Sequence, residues 1–103
     1  MDTTFDVIVI GGGGAGLTAS LYTSRARLHT LLLEKNVTGG QIAITDLVEN
    51  YPGFPEGISG AAIAARMEEQ TCKYGTTLQY EDVQRVTIAN ELFSVFTSEH
   101  TYT

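Results

Sequence analysis

Residues 11–16, Gly-Gly-Gly-Gly-Ala-Gly, stand directly behind the apolar run Val7-Ile8-Val9-Ile10, and Glu34 closes a second apolar run, Leu31-Leu32-Leu33, eighteen residues past Gly16. This spacing suits the backbone binding of a dinucleotide. Gly11 lets the chain leave a strand in a tight turn, and Gly13 has no Cβ to hold the backbone away from a pyrophosphate. Gly16 lets the following helix pack closely on that strand. The free N–H groups and positive dipole end of a helix beginning there face the phosphates. A carboxylate about 20 residues further on accepts hydrogen bonds from an adenosine ribose, the role that Glu34 fits.

These residues need a strand, a turn, a helix and a second strand to hold them. Residues 5–10 are almost wholly apolar and β-branched, as in a strand buried on both faces of a parallel sheet. The pattern predicts a helix over about 13–27, with Leu17, Leu21, Ser24 and Leu28 toward the sheet and Arg25 and Arg27 toward water. Residues 30–34 form the second strand. Between 36 and 60 no periodicity is sustained, and Gly39-Gly40, Pro52-Gly53, Pro55 and Gly57 mark turns. Its apolar residues, Ile42, Ile44, Leu47, Val48, Tyr51 and Phe54, argue for an ordered, cofactor-lining loop rather than a linker.

Ser59 is placed to cap a helix running to about Tyr74 and stopped by Gly75, with Ile63, Met67 and Tyr74 as its apolar face and Glu68 and Glu69 solvated. Residues 78–80, 83–88 and 92–97 read as short strands, with Ala89-Asn90-Glu91 as a hairpin turn and a further strand beginning at 101–103. The predicted fold is α/β: a Rossmann-like βαβ unit with a parallel sheet core and a C-terminal β-meander. With 103 residues the chain is one unit at most, shorter than a complete doubly wound domain, so the domain is expected to be incomplete and to leave an open sheet edge.

Composition narrows the function. A net charge of −6 with six Lys and Arg leaves no basic footprint for nucleic acid or an anionic membrane. Neither a signal peptide nor a membrane span is visible, and the reading is cytoplasmic. At 43% hydrophobic content the chain has enough apolar residues for a core. The one cysteine, Cys72, forms no internal disulfide and is expected to be a small half-buried hydrophobe on the second helix. His29 and His100 stand apart from carboxylate or cysteine clusters and are read as loop or strand-edge residues with no catalytic role. No catalytic or metal-ligating constellation is visible.

The residues DVIVIGGGGAG, LLLEK and TGGQIAITDLVENYPGFPEGISG together resemble the N-terminal part of the FAD domain of bacterial-type thioredoxin reductases, in the pyridine nucleotide-disulfide oxidoreductase superfamily. GGQ followed by VENYPGFP is far more specific than the glycine loop. The resemblance spans essentially the whole chain, 1–103. It implies FAD as cofactor, with Gly11, Gly13, Gly14, Ala15 and Gly16 at the pyrophosphate and Glu34 at the ribose. Gly39, Gly40, Gln41 and Ile42, with Thr45 and Asn50, would run along the flavin side, and Val83 would face the adenine. Gln41, Thr45 and Asn50 supply the few placed hydrogen bonds that a flavin edge needs, while turn chemistry accounts for Asn50 before Tyr51-Pro52-Gly53 equally well.

In the resembled family, electrons pass from NADPH through FAD to a disulfide of a thioredoxin-like protein, and a homodimer is usual. Two departures stand out. Gly14 replaces the proline usual there, which loosens the loop without removing a backbone donor needed by phosphate. The chain also lacks the family's Ala-Thr-Gly strand, NADPH domain, CxxC pair and flavin-closing C-terminal motif, so the isolated chain is expected to bind FAD at most, without turnover. Three other readings share these residues: the FAD segment of a related enzyme such as a ferredoxin-NADP reductase, a stand-alone flavin-binding module, and a non-catalytic structural piece.

Overall fold

The computed structural model describes residues 2–103. Its first strand, β1 (Val7–Ile10), leads through the glycines into helix α1 (Gly14–Arg25) and on to β2 (Thr30–Leu33). A long irregular segment precedes helix α2 (Gly60–Lys73), and β3 (Thr77–Gln79) follows. The chain ends in β4 (Val83–Ala89), β5 (Leu92–Thr97) and β6 (Thr101–Tyr102). β1, β2 and β3 form a parallel sheet in that order, with Val7 opposite Thr30 and Leu31 opposite Thr77. β4, β5 and β6 form a separate antiparallel sheet.

The alternation of side chains along β2 builds the layers. Leu31 and Leu33 turn toward the antiparallel sheet, where they share a buried cluster with Val95 and Tyr102. Phe5, Ile8 and Val83 close over that cluster. Leu32 is equally buried from the opposite face, the side on which Leu17 of α1 and Ile63 and Ala64 of α2 are also buried. The parallel sheet is thus enclosed between the helix pair and the antiparallel sheet. Hydroxyls link the helix layer: Ser24 and Thr76 lie 2.6 Å apart, and Thr71 Oγ1 donates to the Leu17 carbonyl at 3.0 Å.

At its other end β1 meets the end of the antiparallel sheet. Phe5 N–H donates to the Thr103 carbonyl at 2.9 Å, and Thr103 N–H donates to the Thr3 carbonyl at 2.8 Å. One residue bonding to two residues on either side of its opposite number is the parallel ladder pattern, so Thr103 lies against the edge of the strand leading into β1.

Both ends of α2 follow local chemistry. Ser59 Oγ accepts from Ala62 N–H at 3.1 Å, and Gly75 takes φ +101°, a left-handed conformation suited to a residue without Cβ. Asn90 and Glu91, at φ +53° and +66°, make the two-residue hairpin between Ala89 and Leu92.

Several expectations are corrected. α1 stops at Arg25, because Arg27 adopts φ +64° and turns the chain; Leu28 therefore lies outside the helix and is 43% exposed instead of facing the sheet. The buried stripe of α1 is Leu17, Ser20 and Ser24. Tyr74 caps α2 and is largely exposed, so the inner face of that helix runs through Ile63, Ala64 and Thr71. Cys72 is exposed, not half-buried, since it sits beside the inward-facing Thr71 rather than a turn away from it. Glu68 is half-buried and hydrogen-bonded rather than solvated, and His100 is bonded to a carboxylate.

Candidate functional site

The switch from β1 to α1 creates the first part of the site. Gly11 takes φ +100° and sends its N–H back to the Leu33 carbonyl at 2.8 Å, which ends the strand beside β2. A methyl group at Gly16 would overlap the Gly11 carbonyl oxygen, so only glycine lets the first turn of α1 sit this close to the end of β1. At Gly13 a Cβ would meet nothing within 4 Å and would project into open space.

Gly13 caps α1 without a side chain, and the first turn of the helix carries no acidic residue. Leu17 N–H returns to the Gly13 carbonyl at 2.9 Å, starting the internal hydrogen bonding. The amides of the preceding turn, at Gly14, Ala15 and Gly16, point along the axis without an intrahelical acceptor. Small residues, an uncapped amide turn and a positive dipole end therefore meet at one place. Such a place attracts an anion and lets it approach the backbone.

Glu34, at the end of β2, is folded against this loop. Its Oε1 accepts Gly12 N–H at 2.8 Å and its Oε2 accepts Asn36 N–H at 2.8 Å. Below it, a cavity of about 250 Å³ is lined by Ile10, Gly11, Glu34, Glu81 and Val83 among others, which places Val83 beside the acid and the glycine turn.

The second glycine pair is bolted to the first. Gly39 N–H donates to the Gly12 carbonyl at 2.7 Å, and Gly13 and Gly39 form a parallel bridge. Gly39 and Gly40 take φ +99° and +55°. A Cβ at Gly40 would come within 3.4 Å of the Gly13 Cα, and one at Gly14 within 3.0 Å of Ile42 Cδ1. The glycine loop at 11–16, Glu34 and the turn carrying Gly39, Gly40 and Ile42 thus adjoin one another, with Gly39 buried at the join and Ala15 and Gly40 exposed. Gln41 is exposed beside Gly40.

Two candidates are placed differently. Thr45 Oγ1 donates to the Gln41 carbonyl at 3.0 Å, and its own carbonyl accepts Gly60 N–H at 2.9 Å, so Thr45 ties the turn to the start of α2. Asn50 is exposed and lines a hollow made by residues 49–55 alone, apart from the glycine loop.

A buried carboxylate missed by sequence reasoning lies under the cavity. Glu81, 6% exposed, accepts from Thr97 Oγ1 at 2.6 Å and Tyr102 Oη at 2.7 Å, with His100 Nδ1 at 3.1 Å. Burial pushes its carboxyl up, but the hydrogen bonds from Thr97, Tyr102 and His100 outweigh that and hold it below the usual range. Burial, reinforced by Glu81, pushes the Tyr102 phenol well up. Glu81 and its three partners are 16 to 21 residues apart in sequence, so no local spacing announces them. Among the described residues no group of three or more His, Cys, Asp or Glu is placed to hold a metal ion, and no helix is long and apolar enough to cross a membrane.

Comparison with known proteins identifies the family. Residues 5–102 match the family described as pyridine nucleotide-disulphide oxidoreductase, and the chain belongs to it. A thioredoxin reductase of Treponema pallidum is 40% identical over 103 residues, all of this chain and 34% of its own length. One of Bacillus subtilis is 50% identical over 82 residues, 80% of this chain and 26% of its own length. The solved thioredoxin reductase of Gloeobacter violaceus superposes with a TM-score of 0.93 at 36% identity, covering 99% of this chain and 34% of that one. The chain therefore spans about a quarter to a third of the length of these relatives.

Proposed function

We propose that this chain is the FAD-holding segment of a thioredoxin-reductase-like flavoprotein. One observation carries the reading: an uncapped helix N-terminus faces a glycine turn with open space at Gly13. The residues present fit the cofactor. Amides of Gly13, Gly14, Ala15 and Gly16 would receive the pyrophosphate, and Glu34 would receive the adenosine ribose by giving up part of its hold on Gly12. Gly39, Gly40, Gln41 and Ile42 would line the path toward the flavin, and Val83 would close the adenine side.

Thr45 would shape that path by bonding within the turn, and Asn50 would reach the flavin side only through movement of residues 49–55. FAD, when bound, supplies two-electron transfer between a nicotinamide and a disulfide. What the chain's own residues contribute is binding, orientation and an apolar slot. With one cysteine the chain carries no dithiol pair, so on this reading NADPH oxidation and reduction of a thioredoxin-like disulfide belong to a protein with further parts. The isolated chain, 1–103, would be the N-terminal portion of a FAD-binding domain and would bind FAD at most, without turning over.

The reading is tested by titrating the purified chain into FAD and following flavin fluorescence, with riboflavin as the control ligand. Saturable quenching of FAD without matching quenching of riboflavin supports the pyrophosphate cradle. Equal behaviour toward both would overturn it, because riboflavin has no phosphate.

A further inference from the structure

We propose that Glu68 is a positioning residue for the cradle, fixing Gly39 against Gly12 and Gly13 through Thr38; this rests on the FAD reading above. The carboxylate is on α2, remote in sequence from the glycine loop, yet its Oε1 accepts two hydroxyls at once: Thr38 Oγ1 at 3.0 Å and Tyr80 Oη at 2.7 Å. Those two bonds join α2 to the segment leaving β2 and to the end of β3. Glu69, the next residue, is exposed to solvent, so the engagement is particular to Glu68.

An anchor at Thr38 matters because of the two glycines directly after it. Gly39 and Gly40 both occupy left-handed backbone, and glycine surrenders more conformational freedom than any other residue when held in one state. The loop they touch is itself four glycines long. Gly39 N–H must stay on the Gly12 carbonyl, at 2.7 Å, for the two loops to stay joined. α2 fixes Gly39 from two consecutive turns. Ala64 blocks it from behind, since a methyl on Gly39 would stand 2.5 Å from Ala64 Cβ, and Glu68 holds the preceding residue. Thr38 is 8% exposed, so without Glu68 its hydroxyl has little access to water as a substitute partner.

The hydrogen bond to Glu68 pushes the Tyr80 phenol up, and burial together with the Glu68 charge pushes the Cys72 thiol up. An anchor of this kind acts on affinity by keeping the loop in its binding-competent arrangement, since the apparent affinity scales with the fraction of chains already in that state.

The test measures FAD affinity and, in the ligand-free chain, hydrogen exchange at the Gly39 amide, for Glu68→Ala, Glu68→Gln, Thr38→Val and Glu69→Ala. Glu68→Ala and Thr38→Val are expected to weaken FAD about fivefold or more and to speed Gly39 exchange by a similar factor. Glu68→Gln, whose amide oxygen still accepts both hydroxyls, is expected to keep affinity within about twofold of the parent. Glu69→Ala changes neither quantity. FAD binding and Gly39 exchange unaltered in Glu68→Ala would overturn the proposal. If Glu68→Ala fails to fold, Thr38→Val removes the same bond from its other end and decides. If the parent chain binds no FAD, the cofactor reading fails by itself, and Gly39 exchange decides whether Glu68 sets the loop.

Discussion

Two glycines of the same loop should respond in opposite ways to the same methyl group, and the contrast separates folding from binding. Gly13 has φ −70° and ψ −173°, a conformation that alanine adopts freely, and an added Cβ meets nothing within 4 Å. Gly13→Ala should therefore change stability by less than about 1 kcal/mol, with alanine's poorer capping set against its smaller unfolded-state entropy. On the proposed FAD reading the same methyl would occupy the approach to the amides. Losing one hydrogen bond to a charged group costs about 1.5–3 kcal/mol, so affinity should fall roughly 10- to 150-fold. Gly16→Ala gains helix propensity of about 1 kcal/mol but drives its Cβ into the Gly11 carbonyl, and neither backbone group can rotate away. Overpacking of this kind costs about 1–3 kcal/mol or more, so a net loss of stability is expected. Urea unfolding followed by circular dichroism gives the stabilities, and flavin fluorescence gives the affinities. Gly13→Ala binding FAD like the parent, or Gly16→Ala unfolding at the parent's midpoint, would refute the reasoning.

Three further outcomes are expected from the same geometry. Glu34→Ala removes the acceptor of Gly12 and Asn36 N–H together, which should cost about 1–3 kcal/mol in a urea titration and weaken FAD at least tenfold. Gly14→Pro places proline at the first position of α1, where its fixed φ suits the helix and only the mobile end of Ile42 stands in the way. It should stabilise the chain by about 0.4–1 kcal/mol, read as a higher urea midpoint. Tyr102→Phe takes one donor from Glu81 and should cost about 1–2 kcal/mol at neutral pH. Glu81 titrates below the usual range, so its contribution is complete above the ordinary glutamate value and is lost as pH falls through the folded one. The difference between Tyr102→Phe and parent should thus narrow below about pH 4, which unfolding titrations across that range would show.

The features legible in the sequence were local. The strand, glycine turn, helix and acid come in order within about 30 residues, and each is specified by its own composition. The Ser59 cap, the Gly75 stop and the hairpin read at 89–91 are likewise decided by neighbouring residues, although Ala89 pairs with Leu92 and only Asn90 and Glu91 make the turn. The features that escaped depend on contacts across the chain. Glu68 looked like one of two surface acids until the fold brought Thr38, thirty residues away, and Tyr80 onto it. Glu81 gave no signal because β5 and β6 supply its partners. Leu28 kept helical spacing, but Arg27 had already turned the chain out of the helix. The three strand-like segments after α2 read alike, yet β3 joins the parallel sheet while β4 and β5 form another, and the division at 80–82 lies in topology rather than in residue type.

The most direct test of the central claim is to track the backbone amides by NMR as FAD is added to the folded chain. The account predicts saturable shifts concentrated at Gly13, Gly14, Ala15 and Gly16, with accompanying changes at Gly12 as Glu34 turns from it toward the ribose. Shifts confined to other surfaces, or none at saturating FAD, would contradict it.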